Sequence, residues 1–237
     1  MSKVISNQRL SNEFYLMKVE HSGDVRMGQF YMLRAWGDYP VLSRPLSVFD
    51  ADGHSVSFFY KVVGKGTEIF AALQAGADID QQGPWGNTFP VVSGQIALIG
   101  RGVGIAPLYL AAKQLRAASP NTAIHIYLGF KREAVLVEEF CRVADRVKVN
   151  VGGYITDDIS PEAYDHILTC GPEKMMRTLY DKCEKAGVAN RLIVSTESRM
   201  ACGIGACLVC NCKTKSGNKK VCKDGPIFSG EEVFGYE

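Results

Sequence analysis

Five of the eight cysteines fall between residues 202 and 222, and no other stretch is as well equipped for chemistry. Cys202, Cys207 and Cys210 follow a C-x4-C-x2-C pattern, and Cys222 comes after eleven intervening residues. Three thiolates from one loop and a fourth from a separate segment form the plant-type arrangement for a [2Fe-2S] cluster. Gly203 and Gly205 suit that loop, because backbone N–H groups reach the sulfurs only where the chain turns tightly. Structural zinc also takes four cysteines, but usually as two short knuckles set far apart, so the x4 gap favours the cluster. Cys212 is an alternative third ligand; the x2 spacing favours Cys210 and leaves Cys212 spare. Lys213, Lys215, Lys219, Lys220 and Lys223 surround Cys222 and read as a solvated face or a docking patch.

Three further motifs have the composition of phosphate or ring contacts. Arg44, Pro45, Leu46 and Ser47 put a cation and a hydroxyl side by side at a strand start, where proline withholds a ladder donor. That pair suits a pyrophosphate or a flavin ring edge. Gly64, Lys65, Gly66 and Thr67 lead into a helix whose first amides and Thr67 hydroxyl either receive phosphate oxygens or simply cap the helix. Residues 100–107, Gly-Arg-Gly-Val-Gly-Ile-Ala-Pro, join a buried strand to a helix, where a nucleotide phosphate would meet the backbone. They depart from G-x-G-x-x-G at Ile105.

These residues need elements to carry them. Short strands are predicted over 14–19, 29–35, 45–50 and 55–62, then a helix over 67–73, a strand over 78–82 and a turn over 83–87. Their spacing predicts a small antiparallel barrel. From residue 95 the pattern alternates, with strands over 96–99, 123–128, 147–151, 166–170 and 192–196 and helices over 107–118, 137–144 and 173–186. Alternation of this kind predicts a parallel, helix-covered sheet. Past Glu197 the apolar periodicity stops, as expected of a segment held by a cofactor. The expected class is α/β plus β, with domains 1–92, 93–196 and 197–237.

Composition removes several classes. A net charge of +2 leaves no nucleic-acid footprint. Neither a leader-like N-terminus nor an 18-residue apolar run is present, so a cytoplasmic protein without membrane contact is expected. In that reducing compartment clustered cysteines suggest metal or redox chemistry rather than disulfides. Cys141 and Cys183, in helix-like segments, read as small buried hydrophobes. None of the four histidines has a partner at ligand spacing, and no Ser-His-Asp or carboxylate pair stands out.

In this order the pieces resemble the ferredoxin-reductase superfamily, and most closely the electron-transfer subunits of heterodimeric, NAD-linked dihydroorotate dehydrogenases. The resemblance runs the whole chain, through 44–47, 60–62, 66–67, 100–107, 170–172, 197–210 and 221–226, the last two being most specific. It implies an FAD-binding barrel, an NAD-binding domain and a C-terminal [2Fe-2S] module. FAD would be contacted by Arg44, Pro45, Leu46, Ser47, Tyr60, Lys61, Val62, Gly66 and Thr67. Gly102, Gly104, Cys170, Gly171 and Pro172 would flank the nicotinamide nucleotide, and Cys202, Cys207, Cys210 and Cys222 would hold the cluster.

The same resemblance implies NADH as donor and an FMN-containing dihydroorotate dehydrogenase catalytic subunit as partner, in a hetero-oligomer with two copies of each. Arg101 stands where the family usually has glycine. Residues 129–132, Gly-Phe-Lys-Arg, lack an acid for the ribose hydroxyls and leave NADPH open. Two other readings stay open: a subunit of another complex, of sulfhydrogenase or ferredoxin-NADP reductase type, and a non-enzymatic redox-sensing module.

Overall fold

A computed structural model describes residues 1–236; residue 237, the last of the expected 197–237 segment, lies outside the described residues. The first half is a seven-stranded antiparallel sheet of β1 (Ser2–Arg9), β2 (Phe14–Glu20), β3 (Phe30–Arg34), β4 (Arg44–Ser47), β5 (Asp50–Ala51), β6 (Ser55–Lys61) and β7 (Asp78–Trp85). Their order is β4-β3-β7-β1-β2-β6-β5, and helix α1 (Lys65–Ala72) lies between β6 and β7. The strands at the two ends of that order, β4 and β5, are nearly consecutive in the chain. Val48 N–H bonds Gln29 O at 3.0 Å and Phe49 N–H bonds Ser57 O at 2.8 Å, so two adjacent residues serve opposite edges. The strand expected over 45–50 is therefore two strands, split where the chain changes partners.

The strand β1 has no counterpart among the expected elements. Only Val4 of its eight residues is buried, so its polar stripe carries little periodic signal. Pairing with β2 and β7 holds it.

The second sheet contains β8 (Gln95–Arg101), β9 (Ala123–Phe130), β10 (Arg146–Val151), β11 (His166–Cys170), β12 (Leu192–Ser195) and the later β15, in the order β10-β9-β8-β11-β12-β15. The strands from β8 to β12 are parallel. Ile96, Ala97, Leu98 and Ile99 are all fully buried, as befits a strand covered on both faces. Helices α2 (Ala106–Ala118), α3 (Val137–Cys141) and α4 (Glu173–Lys185) link the strands. α3 is shorter than expected because Asp145 is recruited to β9, accepting from Ile124 N–H at 2.7 Å. Cys183 is buried as expected, whereas Cys141, at the end of the shortened helix, is exposed.

The helix α2 also faces the first sheet. Tyr109 stacks on Phe49 with ring centroids 4.4 Å apart. Gln114 accepts from Met27 N–H and donates to Val25 O, both at 2.8 Å. One hydrophobic core consequently runs from Val4 and Phe58 through Ile105 and Leu115.

The C-terminal segment continues through β13 (Asn211–Thr214), β14 (Gly217–Lys220), α5 (Val221–Asp224), β15 (Ile227–Ser229) and α6 (Gly230–Phe234). β15 returns to the large sheet and pairs antiparallel with β12. Asn87 fastens the same place from the β7–β8 link: its Oδ1 accepts from Ile227 N–H at 2.8 Å, and its Nδ2 donates to Ile227 O at 2.8 Å. No helix of the described residues is long and apolar enough to cross a membrane. Asn87→Ala strands both backbone groups of Ile227, and urea unfolding should show a loss of about 1–3 kcal/mol. An unchanged midpoint would contradict the clamp.

Candidate functional site

The x11 gap between Cys210 and Cys222 is a hairpin. β13 and β14 pair from Asn211↔Lys220 to Thr214↔Gly217, so the chain comes back beside its starting point. Val221 N–H donates to Cys210 O at 3.0 Å, and Cys222 N–H points at Cys210 Sγ at 3.4 Å. α6 secures the turn, with Glu232 Oε1 accepting from Thr214 Oγ1 at 2.7 Å and Ser216 N–H at 3.1 Å. Cys210 and Cys222 are buried with Phe30, Met32, Met200 and Val221.

The preceding loop curls round Cys202. Gly203 and Gly205 have φ of +73° and +83°, a conformation that a side chain disfavours. The curl directs N–H groups of Ile204, Cys207 and Ala206 at Cys202 Sγ, and these draw its thiol down to about 6. Burial, helped by the neighbouring Cys210 thiol, pushes Cys222 up to about 12.

The thiols thus lie as two neighbouring pairs, Cys202 beside Cys207 and Cys210 beside Cys222. Among the described residues no three His, Cys, Asp or Glu side chains converge as one ion requires. Two pairs match a two-iron centre with two thiolates on each iron better than a zinc tetrahedron. Cys212 is turned elsewhere: it pairs across the hairpin with Lys219 and lines a separate cavity.

Beside this loop a cavity of about 320 Å³ opens between β4, β6 and the second sheet. Arg44, Pro45, Leu46, Ser47, Tyr60, Lys61 and Thr67 all line it. Pro45 is tolerated because β4 ends the strand order and lacks a second neighbour. The guanidinium of Arg44 lies 5.3 Å from the Trp36 ring centre and packs beside Gly66. Tyr60 is buried, its hydroxyl donating to Asn7 Oδ1 at 3.1 Å. Thr67 Oγ1 donates to Gly64 O at 2.8 Å and accepts from Val63 N–H at 2.9 Å. Its hydroxyl therefore caps α1, and the first-turn amides keep no partner within the helix. Val62 packs toward the core, and its neighbour Val63 faces the cavity.

A second cavity, of about 290 Å³, lies between the β1–β2 turn and the C-terminal ends of β8, β9 and β11. Sheet order reverses at β8, the place where α/β sheets leave a crevice. Gly102 and Pro172 line it. Gly104 instead sits against β11, where a Cβ would collide with Cys170 O. Cys170 is buried and Gly171 follows it, lining a third cavity of about 420 Å³ with Cys212.

Sequence reasoning did not single out Glu197, which lines all three cavities. Its signal was position, just past the end of β12 and before the cysteine loop. Cys170 Sγ donates to Glu197 Oε1 at 3.8 Å. Burial pushes the thiol well above its ordinary range. Glu197 is exposed along the cavities, and the protein packed around its carboxyl outweighs the Cys170 hydrogen bond and raises it above its ordinary value. Ser195, Thr196, Ser198, Met200, Phe59 and Val103 also line the first cavity, and none is among the expected FAD contacts.

Residues 197–234 match the iron-sulfur cluster binding domain of dihydroorotate dehydrogenase B. The whole chain is similar to the electron transfer subunit of dihydroorotate dehydrogenase B (NAD(+)) from Clostridium acetobutylicum, 43% identical over 99% of this chain and 96% of the relative. The Clostridium perfringens subunit of the same name is 41% identical over 98% and 96%. Among solved structures, that of the NADH-dependent reduced ferredoxin-NADP oxidoreductase superposes with a TM-score of 0.88 at 29% identity, covering 98% of this chain and 89% of its own. A ferredoxin NADP+ reductase from Neisseria gonorrhoeae shares the fold, with a TM-score of 0.65 at 15% identity over 81% and 96%.

Two outcomes are expected. Gly104→Ala forces backbone apart at the β8–β11 contact and should destabilise the chain by about 1–3 kcal/mol in urea. Glu197 holds its proton more tightly folded than unfolded, so its contribution to stability declines as pH rises upward from 4.5. Glu197→Gln should therefore gain stability over the wild type across that rise, and parallel pH–stability curves would contradict it.

Proposed function

The chain belongs to the family of dihydroorotate dehydrogenase B electron-transfer subunits, and from that premise we propose how its residues divide the work. It is an oxidoreductase subunit that passes electrons between NAD(H), FAD and a [2Fe-2S] cluster and the FMN of a separate catalytic subunit, in pyrimidine biosynthesis. In our reading residues 1–92 form an FAD-binding barrel, 93–196 the nucleotide domain and 197–237 the cluster-bearing segment. The double-edged hydrogen bonding of Val48 and Phe49 supports the barrel.

When bound, FAD exchanges a hydride with a nicotinamide ring and releases electrons singly, and the cluster carries one electron at a time. The protein's own part is to hold and orient. Arg44, Ser47, Gly66 and the α1 amides near Thr67 take the flavin's phosphates and polar edge, while Pro45, Leu46, Tyr60, Lys61 and Val63, with Val62 packed behind it, wall the ring. Gly102, Gly104, Gly171 and Pro172 flank the nicotinamide nucleotide. Cys170 keeps its proton on Sγ, hydrogen-bonded to Glu197, so that no thiolate stands at the meeting point of the cavities. Cys202 and Cys207 would hold one iron of the cluster, and Cys210 and Cys222 the other.

The single observation that carries this reading is the pairing of four thiols on a loop whose Met200 also lines the cavity of Arg44 and Tyr60. Ile204, Leu208 and Val209 stand exposed between the thiols, and they suit docking of the catalytic subunit in an assembly with two copies of each chain.

Anaerobic co-purification with the catalytic subunit tests the whole reading. About two irons, about two sulfides and about one FAD per chain are expected, with orotate-linked oxidation of NADH. Cys222→Ser should lose iron and retain flavin; Arg44→Ala should do the reverse. Zinc in place of iron, or a partner with no orotate-reducing activity, would sink it.

A further inference from the structure

We propose that Phe30 and Met200 form the partition between the flavin cavity and the cysteine loop, so that the buried pair Cys210 and Cys222 is the flavin-side end of the thiol set and Cys202 with Cys207 its outward end. The inference rests on the flavin and cluster readings above.

The strand β3 carries Phe30, Tyr31, Met32 and Leu33, four apolar residues in a row. Successive side chains of a strand point to opposite faces, so an unbroken run means that both faces are covered. Tyr31 and Leu33 belong to the large core of the first sheet. Phe30 and Met32 instead join Met200, Val221 and the buried cysteines Cys210 and Cys222 in a separate apolar cluster. Phe30 and Met200 also line the cavity of about 320 Å³, and among the described residues no other member of that cluster does.

Phe30 is firmly placed. It pairs with Ser47 of β4 and with Trp85 of β7, so the ladder that sets the Arg44–Ser47 motif also sets this ring. A Cβ on Gly86 would stand 3.1 Å from Phe30 Cε1 and 2.6 Å from Pro226 Cδ, which shows how closely the turn after β7 shuts against both. Met200 arrives from the end of β12, and its unbranched thioether suits an irregular gap. Met32 supports the loop from beneath: a Cβ on Gly203 would stand 2.7 Å from its Cγ.

The two halves of the thiol set differ in exposure. Cys210 and Cys222 are 2% and 3% exposed. Cys207 is exposed and Cys202 partly so, with Ile204, Leu208 and Val209 exposed around them. The half closed to solvent is the one that shares side chains with the cavity, and the other half is the one open to a partner. An electron crossing the partition is lost by the reduced flavin and gained by the cluster, with no bond made or broken. The apolar side chains between them keep water from the buried sulfurs, and such a shell tunes the potential of a metal centre.

The test uses the assembled holoenzyme without oxygen, with flash photoreduction of the flavin to start transfer independently of NADH. Met200→Ala should slow flavin-to-cluster transfer severalfold, and Met200→Leu, close in volume, should keep it near the wild-type rate. Oxidation of the reduced cluster by ferricyanide, which reaches the outward half, should be unchanged in both. Met200→Gln keeps the side chain's length and sets an amide donor beside the buried thiols. It should move the one-electron equilibrium about tenfold toward the reduced cluster, a rise of about 59 mV in its midpoint. Iron and FAD content show that each variant is loaded; if Met200→Ala loses either, the potential of Met200→Gln decides. Unchanged transfer and potential in loaded variants, or ferricyanide oxidation slowed as much as flavin-to-cluster transfer, would overturn the proposal and leave the cofactor readings intact. A wild-type holoenzyme lacking FAD or iron would overturn those readings and this inference together.

Discussion

The return of β15 to the open edge of the parallel sheet fixes the relation between the three parts of the chain. Without the β12–β15 ladder, residues 197–226 would be a glycine-rich excursion with few apolar contacts of their own. With it, the excursion is tied at both ends, because β12 ends at Ser195 and β15 begins at Ile227, and those two residues pair. Asn87 bonds the same strand from the first sheet's side. One short antiparallel strand thus ties the cysteine loop to both sheets, and Phe30 and Met32 of β3 cover the loop's buried thiols.

That tether explains why the cavities meet where they do. Anything leaving the C-terminal end of β12 enters the crevice between the sheets, and the chain there reads Thr196, Glu197, Ser198. Glu197 lines all three of the cavities described above because it stands where the excursion leaves β12. Lining the cavities and accepting from a buried thiol, it is an ionisable group whose carboxyl the surrounding protein holds above its ordinary value. Groups so placed cluster at functional sites, since ordinary folding gives no reason to keep them.

The cations of the second cavity show a related economy. Lys61 and Glu13 pair on the first sheet's wall, and Arg101, Lys131 and Arg132 at the β8 and β9 ends share the cavity with Glu133 and Glu197. A side chain at Gly129 would press on Ile155 and on the Arg101 stem.

Local order is what the residues themselves determined. The cysteine spacing specified a two-iron thiol set, since ligands within one loop are constrained by chain length. The apolar alternation after residue 95 specified a parallel sheet, because strands buried on both faces leave an unbroken hydrophobic signal, as in Ile96 to Ile99. Polar β1 escaped notice because its stability comes from the ladders on either side rather than from burial. The choice between Cys210 and Cys212 rested on spacing alone until the hairpin register turned one toward Cys222 and the other away. Glu197 was similarly illegible: a single glutamate in a loop gains meaning only when strands distant in sequence close around it. Spacing along the chain could name the thiols, but only the tertiary structure could bring their loop to the cavity beside Arg44 and Tyr60, because that contact depends on a β12–β15 pairing across more than thirty residues.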